Sequence, residues 1–141
     1  MKIAAIILAA GKGNRMKSRL PKVLHTLGNK PLLGHVLTLT KSLRMEKTLV
    51  VVGHNSDLVS NYLEKEGSET RIVTQEQQLG TGNAVQCAES LLGKYDGNLL
   101  VLYGDVPLIK KETIEKMLTS LRSDAELAVL GFETDNPTGY G

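Results

Sequence analysis

The sequence is poor in cysteine and in aromatic residues. Cys87 is the only cysteine among 141 residues, tryptophan is absent, and aromatic side chains make up 4% of the chain. A single cysteine excludes an internal disulfide framework and a zinc site built from several thiolates of this chain. It fits a reducing compartment, so we expect a cytoplasmic protein.

The chain also lacks a strong charge imbalance and a long apolar run. Its formal net charge of +2 is too small to indicate nucleic acid or an acidic membrane surface as a partner. The apolar run at residues 3–10 falls far short of the roughly 20 residues that span a bilayer. No small-residue cleavage site follows it. We therefore expect neither a nucleic-acid nor a membrane partner, and we interpret residues 3–10 as a first strand.

Short apolar segments alternate with segments of helical periodicity. Strands are predicted at residues 3–10, 48–52, 71–73, 98–103 and 127–132, and several are almost continuously apolar, as in strands covered on both faces. Apolar residues at helical spacing predict helices around residues 32–43, 58–63, 84–92 and 114–121. This order predicts an α/β fold in which residues 1–141 form one domain around a doubly wound parallel sheet with right-handed crossovers.

Two glycines, Gly11 and Gly13, follow the first strand, and two cations, Arg15 and Lys22, come soon after. Glycines allow backbone N–H groups to close around an anion, and the cations neutralise charge that the amides leave. Residues 11–30 are also long for a strand-to-helix connection, and such folds bind ligands in loops at the carboxyl ends of their strands. We predict a phosphate-binding loop suited to a triphosphate or a pyrophosphate.

Other interpretations of this loop have less support. A dinucleotide-binding fingerprint needs a third glycine where Met16 stands, and a Walker A loop needs a closing Gly-Lys-Ser/Thr that the sequence does not contain. A tight turn without a ligand explains Gly11 and Gly13 but not the nearby cations. For either cation taken alone, an exposed surface charge stays an alternative.

Asp105 follows the apolar run at residues 99–103 and precedes Pro107. It is therefore expected at the carboxyl end of a central strand, on the same edge of the sheet as the glycine loop. A carboxylate repels phosphates unless a cation lies between them, and Mg²⁺ binds through one or two carboxylates plus substrate phosphates. We predict that Asp105 binds Mg²⁺; the alternative is an aspartate that only caps a turn before proline.

A segment rich in amides and glycine, residues 75–82, follows the third predicted strand. Uncharged amides and exposed backbone suit a nucleobase, whose edge carries neutral donors and acceptors, and Gly80 allows a flat ring to approach. Thr81 is also interpreted as the N-cap of the next helix, whatever else it does. For Glu76 and Gln77 we expect solvent exposure.

These motifs resemble those of a known family. Leu8-Ala-Ala-Gly-Lys-Gly-Asn-Arg-Met16 with Leu20-Pro-Lys-Val-Leu-His25 is similar to the signature of sugar-phosphate nucleotidyltransferases. Three further motifs, Gln78-Leu-Gly-Thr-Gly82, Leu102-Tyr-Gly-Asp-Val-Pro-Leu108 and Pro137-Thr-Gly-Tyr-Gly141, narrow the resemblance. Together they resemble the uridyltransferase (pyrophosphorylase) domain of the bacterial bifunctional N-acetylglucosamine-1-phosphate uridyltransferases, which are also glucosamine-1-phosphate acetyltransferases.

The resemblance implies a Rossmann-like domain that joins UTP to N-acetylglucosamine 1-phosphate, giving UDP-N-acetylglucosamine, a cell-wall (peptidoglycan) precursor, and pyrophosphate. By similarity, Arg15 and Lys22 would hold the triphosphate and act in catalysis, and Asp105 would hold Mg²⁺. The uridine and phosphate site would be lined by Leu8, Ala9, Ala10, Gly11 and Gly13. Uracil would be read by Gln75, Gln78, Gly80 and Thr81, and the nucleotide and sugar would be bordered by Tyr103, Gly104 and Gly141.

Two departures from the family pattern stand out. Asn14 occupies a position that is usually threonine. The family's domain also continues beyond position 141, so we expect this chain to be a C-terminally truncated portion. The second magnesium ligand and the C-terminal domain through which the family trimerises would then lie outside it. The alternatives are a related cytidylyl- or thymidylyltransferase and a non-catalytic nucleotide-binding domain.

Overall fold

The computed structural model describes residues 1–11, 13, 16–53, 56–67, 69–121 and 125–138. The chain divides into two compact units, Met1–Ile109 and Lys110–Gly141. The second unit contains one helix, α5 (Lys111–Leu121), among its described residues. The elements of the first unit are, in order, β1 (Ile3–Ala9), a 3₁₀ turn (Lys22–Leu24), β2 (Thr26–Leu27), β3 (Lys30–Pro31), α1 (Leu32–Ser42), β4 (Lys47–Gly53), α2 (Asp57–Lys65), β5 (Arg71–Gln75), α3 (Thr81–Cys87), α4 (Glu89–Leu92) and β6 (Asn98–Tyr103).

The first unit is built on a parallel four-stranded sheet with the order β5–β4–β1–β6. In its central register Ile6 lies beside Leu49 on one side and beside Val101 on the other. Helices connect the parallel strands, as the alternation of apolar and helical segments predicts. The expected α/β fold with a mostly parallel sheet is therefore confirmed.

The core surrounds β1, which is buried on both faces. Ile6 and Ile7 point to opposite faces of the sheet and are both completely buried. On the Ile6 face, β1 packs with β4 and with the apolar residues of α3 and α4. Complete burial of an isoleucine side chain stabilises a fold by roughly 1.5–3 kcal/mol, so the continuous apolar pattern of β1 reflects its central place.

Two sequence-based expectations about strands are wrong. Residues 127–132 form no strand, and Leu127, Val129 and Phe132 are largely exposed. An apolar run makes a strand only where another strand offers its free N–H and C=O groups, and the local sequence does not provide that partner. Residues 98–103 do form a strand, β6, but within the described sheet β6 is an edge strand, not a central one.

The long connection after β1 is not a featureless loop. Its described part contains the 3₁₀ turn Lys22–Leu24 and a short antiparallel hairpin in which Thr26 pairs with Pro31. The hairpin leads directly into α1, which begins at Leu32. Among the described residues, no helix has the length and apolar character needed to cross a membrane.

Gly34 of α1 contacts Tyr62 of α2, and this contact gives a testable prediction. A Cβ on residue 34 would collide with the Tyr62 hydroxyl and would lie 2.8 Å from Cγ of Lys30. Overpacking costs about 1–3 kcal/mol, whereas alanine gains about 1 kcal/mol over glycine inside a helix. We expect Gly34→Ala to lower the free energy of unfolding by about 1 kcal/mol in urea denaturation.

A matched control exists in α3, where a Cβ on Gly82 would meet nothing within 4 Å. Gly82→Ala is expected to stabilise the protein by a few tenths to about 1 kcal/mol. Removing the hydroxyl with Tyr62→Phe should reduce the cost of Gly34→Ala. An equal cost in both backgrounds would contradict the predicted collision.

Candidate functional site

The carboxyl ends of all four parallel strands meet at one edge of the sheet. Leu8 lies beside Tyr103, and Gly53 lies beside Gln75, so the strands end at similar levels. The segments that leave these ends, at residues 10, 11 and 13, at residues 76–80 and at residues 104–106, therefore share this edge. Ligands of doubly wound folds bind at this position.

Lys22 is fixed beside the glycine loop by its backbone. A Cβ on Gly13 would lie only 3.0 Å from Cβ of Lys22, and the φ of Gly13, +58°, is one that favours glycine. Pro21, with φ −51°, precedes the 3₁₀ turn that begins at Lys22, and Val23 anchors that turn in the core with 5% of its surface exposed. The lysine side chain thus starts from a rigid base in contact with the glycine loop.

Gly104 brings the end of β6 against the same turn. Its N–H donates to the carbonyl oxygen of Leu8 at 2.9 Å. A Cβ on Gly104 would lie 3.2 Å from that oxygen and 3.2 Å from Cγ1 of Val23. A larger residue would push apart β1 and the turn that carries Lys22. The closeness of Gly104 to both elements places the next residue, Asp105, near Lys22.

Asp105 and Lys22 form an ion pair, with 2.5 Å between Nζ of Lys22 and Oδ2 of Asp105. The side chains are 38% exposed for Lys22 and 26% exposed for Asp105. An ion pair that water reaches contributes about 0–1 kcal/mol, because solvent screens it. A ligand that offers stronger charges can therefore separate the two groups at little cost. The structure thus brings together Gly13, Lys22 and Asp105, which are up to 92 residues apart in the sequence.

The remaining residues predicted to bind phosphate are placed as follows. The side chains of Leu8 and Ala9 are buried in the core, so their backbone is what faces the edge. Ala10 is half-buried and Gly11 is exposed. Arg15 lies outside the described residues, as does Gly141, which was predicted to border the sugar.

Gln75 supports the loop that was predicted to read the base. It is 3% exposed, and its Nε2 donates to the carbonyl oxygen of Gly80 at 3.1 Å and to Oδ1 of Asn83 at 2.8 Å. The amide nitrogen of Gln75 is thus engaged within the protein, and its Oε1 is the atom left for a ligand. Asn83 was not among the predicted site residues, although a polar residue in the first turn of a helix after a glycine loop is a usable signal.

The start of α3 differs from the prediction. Gly80, with φ +105°, is the N-cap, no side chain makes a capping hydrogen bond, and Thr81 is the first helical residue. The interpretation of Thr81 as the N-cap is therefore wrong, because the left-handed backbone at this position favours glycine. A Cβ on Gly80 would meet nothing within 4 Å, so the loop is open on that side. Tyr103, predicted to border the nucleotide, is half-exposed at the same edge of the sheet.

Gln78 links the two loops. Its Nε2 donates to the carbonyl oxygen of Ala10, across 68 positions of sequence. Gly53, the buried last residue of β4, lies under this hydrogen bond. Sequence reasoning missed Gly53. The usable signal was a glycine at the end of an apolar strand, in a sheet where two other strands lead into predicted ligand-binding loops.

The described residues fit a metal ion that binds together with phosphates. They contain no group of three or more His, Cys, Asp or Glu side chains that could hold a metal ion. Asp105 supplies one hard, partly exposed carboxylate beside the glycine loop. Mg²⁺ binds in this way, through one or two carboxylates and substrate phosphates, whereas zinc needs a fuller set of protein ligands. The donor set therefore suits Mg²⁺.

Comparison with curated proteins gives a consistent set of relatives. The chain is 48% identical over 137 residues to the bifunctional protein GlmU of Parvibaculum lavamentivorans, and the match covers 97% of the chain and 30% of that protein. It is 49% identical over 140 residues to the bifunctional protein GlmU of Rhizorhabdus wittichii, with 98% and 30% covered. The chain thus spans about 30% of the length of these relatives.

Solved structures and a family model agree on the fold. UDP-glucose pyrophosphorylase from Acinetobacter baumannii has a TM-score of 0.72 at 24% identity, with 88% of this chain and 54% of that chain covered. The 4-diphosphocytidyl-2C-methyl-D-erythritol synthase from Anaerococcus prevotii has a TM-score of 0.69 at 21% identity, with 86% and 54% covered. The model of the MobA-like NTP transferase domain matches residues 5–140. The chain therefore belongs to the MobA-like NTP transferase domain family.

Proposed function

We propose that this chain forms the nucleotide-binding part of an enzyme that transfers UMP from UTP to N-acetylglucosamine 1-phosphate. The products would be UDP-N-acetylglucosamine and pyrophosphate. The observation that supports this proposal most is the ion pair of Lys22 and Asp105 against the glycine loop, because it puts a cation and a carboxylate that suits Mg²⁺ at one point. The choice of substrates is supported by the relatives named bifunctional protein GlmU.

At this edge of the sheet, positively charged groups would bind the phosphates and neutral groups would bind the base. Backbone N–H groups of residues 10–13 and the ammonium of Lys22 would bind the triphosphate, and Arg15 would add a forked cation. The amide- and glycine-rich loop at residues 75–81 would hold uracil, with Gly80 open to the ring and Oε1 of Gln75 available as an acceptor. Tyr103 and Gly104, at the end of β6, would border the sugar side.

The reaction would be an in-line displacement at the α-phosphorus of UTP. An oxygen of the sugar phosphate would form the new bond to phosphorus, and the bond to the β-phosphate oxygen would break, releasing pyrophosphate with the electron pair. The attacking oxygen is already anionic near neutral pH, so no general base is required. The chain's residues would position the phosphates and neutralise their charge.

Mg²⁺ would be held by Asp105 together with the phosphates, and when bound it would neutralise charge that develops on them. Trimerisation through a C-terminal domain and a cytoplasmic location also belong to this proposal, since both rest on the resemblance. The chain spans about 30% of the relatives' length, so a second magnesium ligand outside it is part of the same proposal.

Pyrophosphate release tests the proposal directly. The protein as its gene encodes it would be incubated with Mg²⁺, each of UTP, CTP, dTTP and ATP, and several sugar 1-phosphates. We expect the highest kcat/KM for UTP with N-acetylglucosamine 1-phosphate. A preference for CTP or dTTP would replace the proposed reaction by that of a related transferase. Tight UTP binding without turnover on any sugar phosphate would indicate a non-catalytic nucleotide-binding domain.

A further inference from the structure

Two loops at the candidate site are joined by a single side chain. Gln78 leaves the loop after β5, passes over the end of β4, and donates to the carbonyl oxygen of Ala10. Ala10 is the residue that leads β1 into the glycine loop. The hydrogen bond thus ties the predicted base-reading loop to the predicted phosphate loop.

Gly53 makes this crossing possible. A Cβ on residue 53 would lie 2.8 Å from Nε2 of Gln78, closer than Cβ atoms approach, and 3.1 Å from the oxygen of Ala10, which is a tight contact. Gly53 is buried and paired within the sheet, so the flexible end of the Gln78 side chain is the group that would have to move. Any residue larger than glycine would enter the space that the donor and the acceptor share.

The carboxyl-terminal end of the same loop is anchored by the side chain of Gln75. The buried Gln75 donates to Gly80 and Asn83 and so holds the far end of the loop against α3. The loop is thereby anchored at Gly80, two residues beyond Gln78, and Gln78 in turn donates to the carbonyl oxygen of Ala10. The hydrogen bond therefore adds a link between the loop after β5 and the start of the glycine loop, beside the pairing that the sheet already provides.

We propose that Gln78 and Gly53 are positioning residues that hold the glycine loop in its phosphate-binding shape, and that Gln78 does not act by reading the base. This inference rests on the proposed function, because it assigns the glycine loop to the binding of a nucleoside triphosphate. It differs from the prediction from sequence, in which Gln78 contacts uracil. The two assignments make opposite predictions for a ligand that has no base.

The first test follows amide hydrogen exchange at the end of β1, at residues 8–10, in the ligand-free protein. Gln78→Glu keeps the shape of the side chain but loses the donor, and Gly53→Ala intrudes on the hydrogen bond. Ala10 accepts this hydrogen bond just beyond the paired end of β1, so its loss is expected to let the strand end open more often and to speed exchange of these amides by roughly three- to tenfold in either variant, with little change in the melting temperature. Unchanged exchange in Gln78→Glu would overturn the proposal, whether or not Gly53→Ala folds.

Two control variants match these changes. Gln77→Glu introduces the same charge on the same loop, one residue away, where the side chain is exposed. Gly131→Ala adds the same methyl group where a Cβ meets nothing within 4 Å. Both controls are expected to leave the exchange of residues 8–10 as in the unmodified protein. Equal acceleration in Gln77→Glu would assign the effect to charge and not to the lost hydrogen bond.

The second test measures Kd for UTP, CTP and inorganic tripolyphosphate. If Gln78 and Gly53 position the glycine loop, Gln78→Glu and Gly53→Ala should raise Kd for all three ligands by the same factor. The double variant should raise Kd little more than either single variant does. Weaker UTP binding with unchanged tripolyphosphate binding would overturn the proposal and assign Gln78 to the base. If the unmodified protein binds none of the three, the proposed function fails, while the exchange measurement still decides whether the tie exists.

Discussion

Replacing Lys22 with methionine is expected to change catalysis and metal binding in opposite directions. Without the ammonium group, kcat/KM for pyrophosphate release should fall at least about tenfold, which corresponds to ~1.4 kcal/mol of transition-state stabilisation. In the nucleotide-free protein the same change removes the cation that pairs with Asp105. Binding of Mn²⁺, followed by electron paramagnetic resonance, should therefore tighten by roughly two- to fivefold, in line with the modest strength of a partly exposed ion pair.

The chain offers a matched control for this experiment. Lys2 and Asp96 form a second Lys–Asp pair, with 3.1 Å between Nζ and Oδ1, and both residues lie before the strands, at the opposite edge of the sheet. Lys2→Met removes the same charge from the same kind of pair and should leave turnover and Mn²⁺ binding unchanged. Near-normal kcat/KM in Lys22→Met would exclude Lys22 from the mechanism. Weaker Mn²⁺ binding in that variant would show that Lys22 does not compete for Asp105.

The common location of the glycine loop and Asp105 can be predicted from the sequence, because it depends only on how parallel strands are arranged. Parallel strands end at a common edge, so a glycine loop after β1 and an aspartate after β6 are brought together once both strands are identified. Pro21 restricts the backbone before Lys22, which is a local constraint on the start of this side chain. Local chemistry and the parallel strands therefore predict the common location of these residues, whereas the contact between Lys22 and Asp105 also depends on the packing of Val23 and Gly104.

The remaining features depend on contacts that local sequence does not encode. The hydrogen bond from Gln78 to Ala10 requires that β4 lie between β1 and β5 and that it end in Gly53. The failure of residues 127–132 to form a strand, and the place of β6 at the edge of the described sheet, likewise depend on which segments pair. At the start of α3, both Gly80 and Thr81 are acceptable N-caps by propensity, and the left-handed backbone decides for glycine.

Asp105→Asn is expected to lower turnover in Mg²⁺ but to tighten UTP binding in EDTA. In Mg²⁺, loss of the carboxylate should lower turnover roughly a hundredfold or more, because charge neutralisation by a metal ion contributes several kcal/mol. In EDTA the same variant should bind UTP more tightly than the unmodified protein, on the order of threefold, because a negative charge beside the phosphates is gone. Lys22, released from its ion pair, would then be free to contact the phosphates.

Isothermal titration calorimetry with UTP, in EDTA and in Mg²⁺, separates this account from a merely structural role of Asp105. If Asp105 only capped the turn before Pro107, the asparagine variant would keep the turn, since asparagine caps turns as aspartate does, and neither measurement would change. Asp96→Asn is the control, because it removes a carboxylate from the remote pair with Lys2. Tighter binding in EDTA together with lost turnover in Mg²⁺ requires that the Asp105 carboxylate face the phosphates, with a cation between them during the reaction.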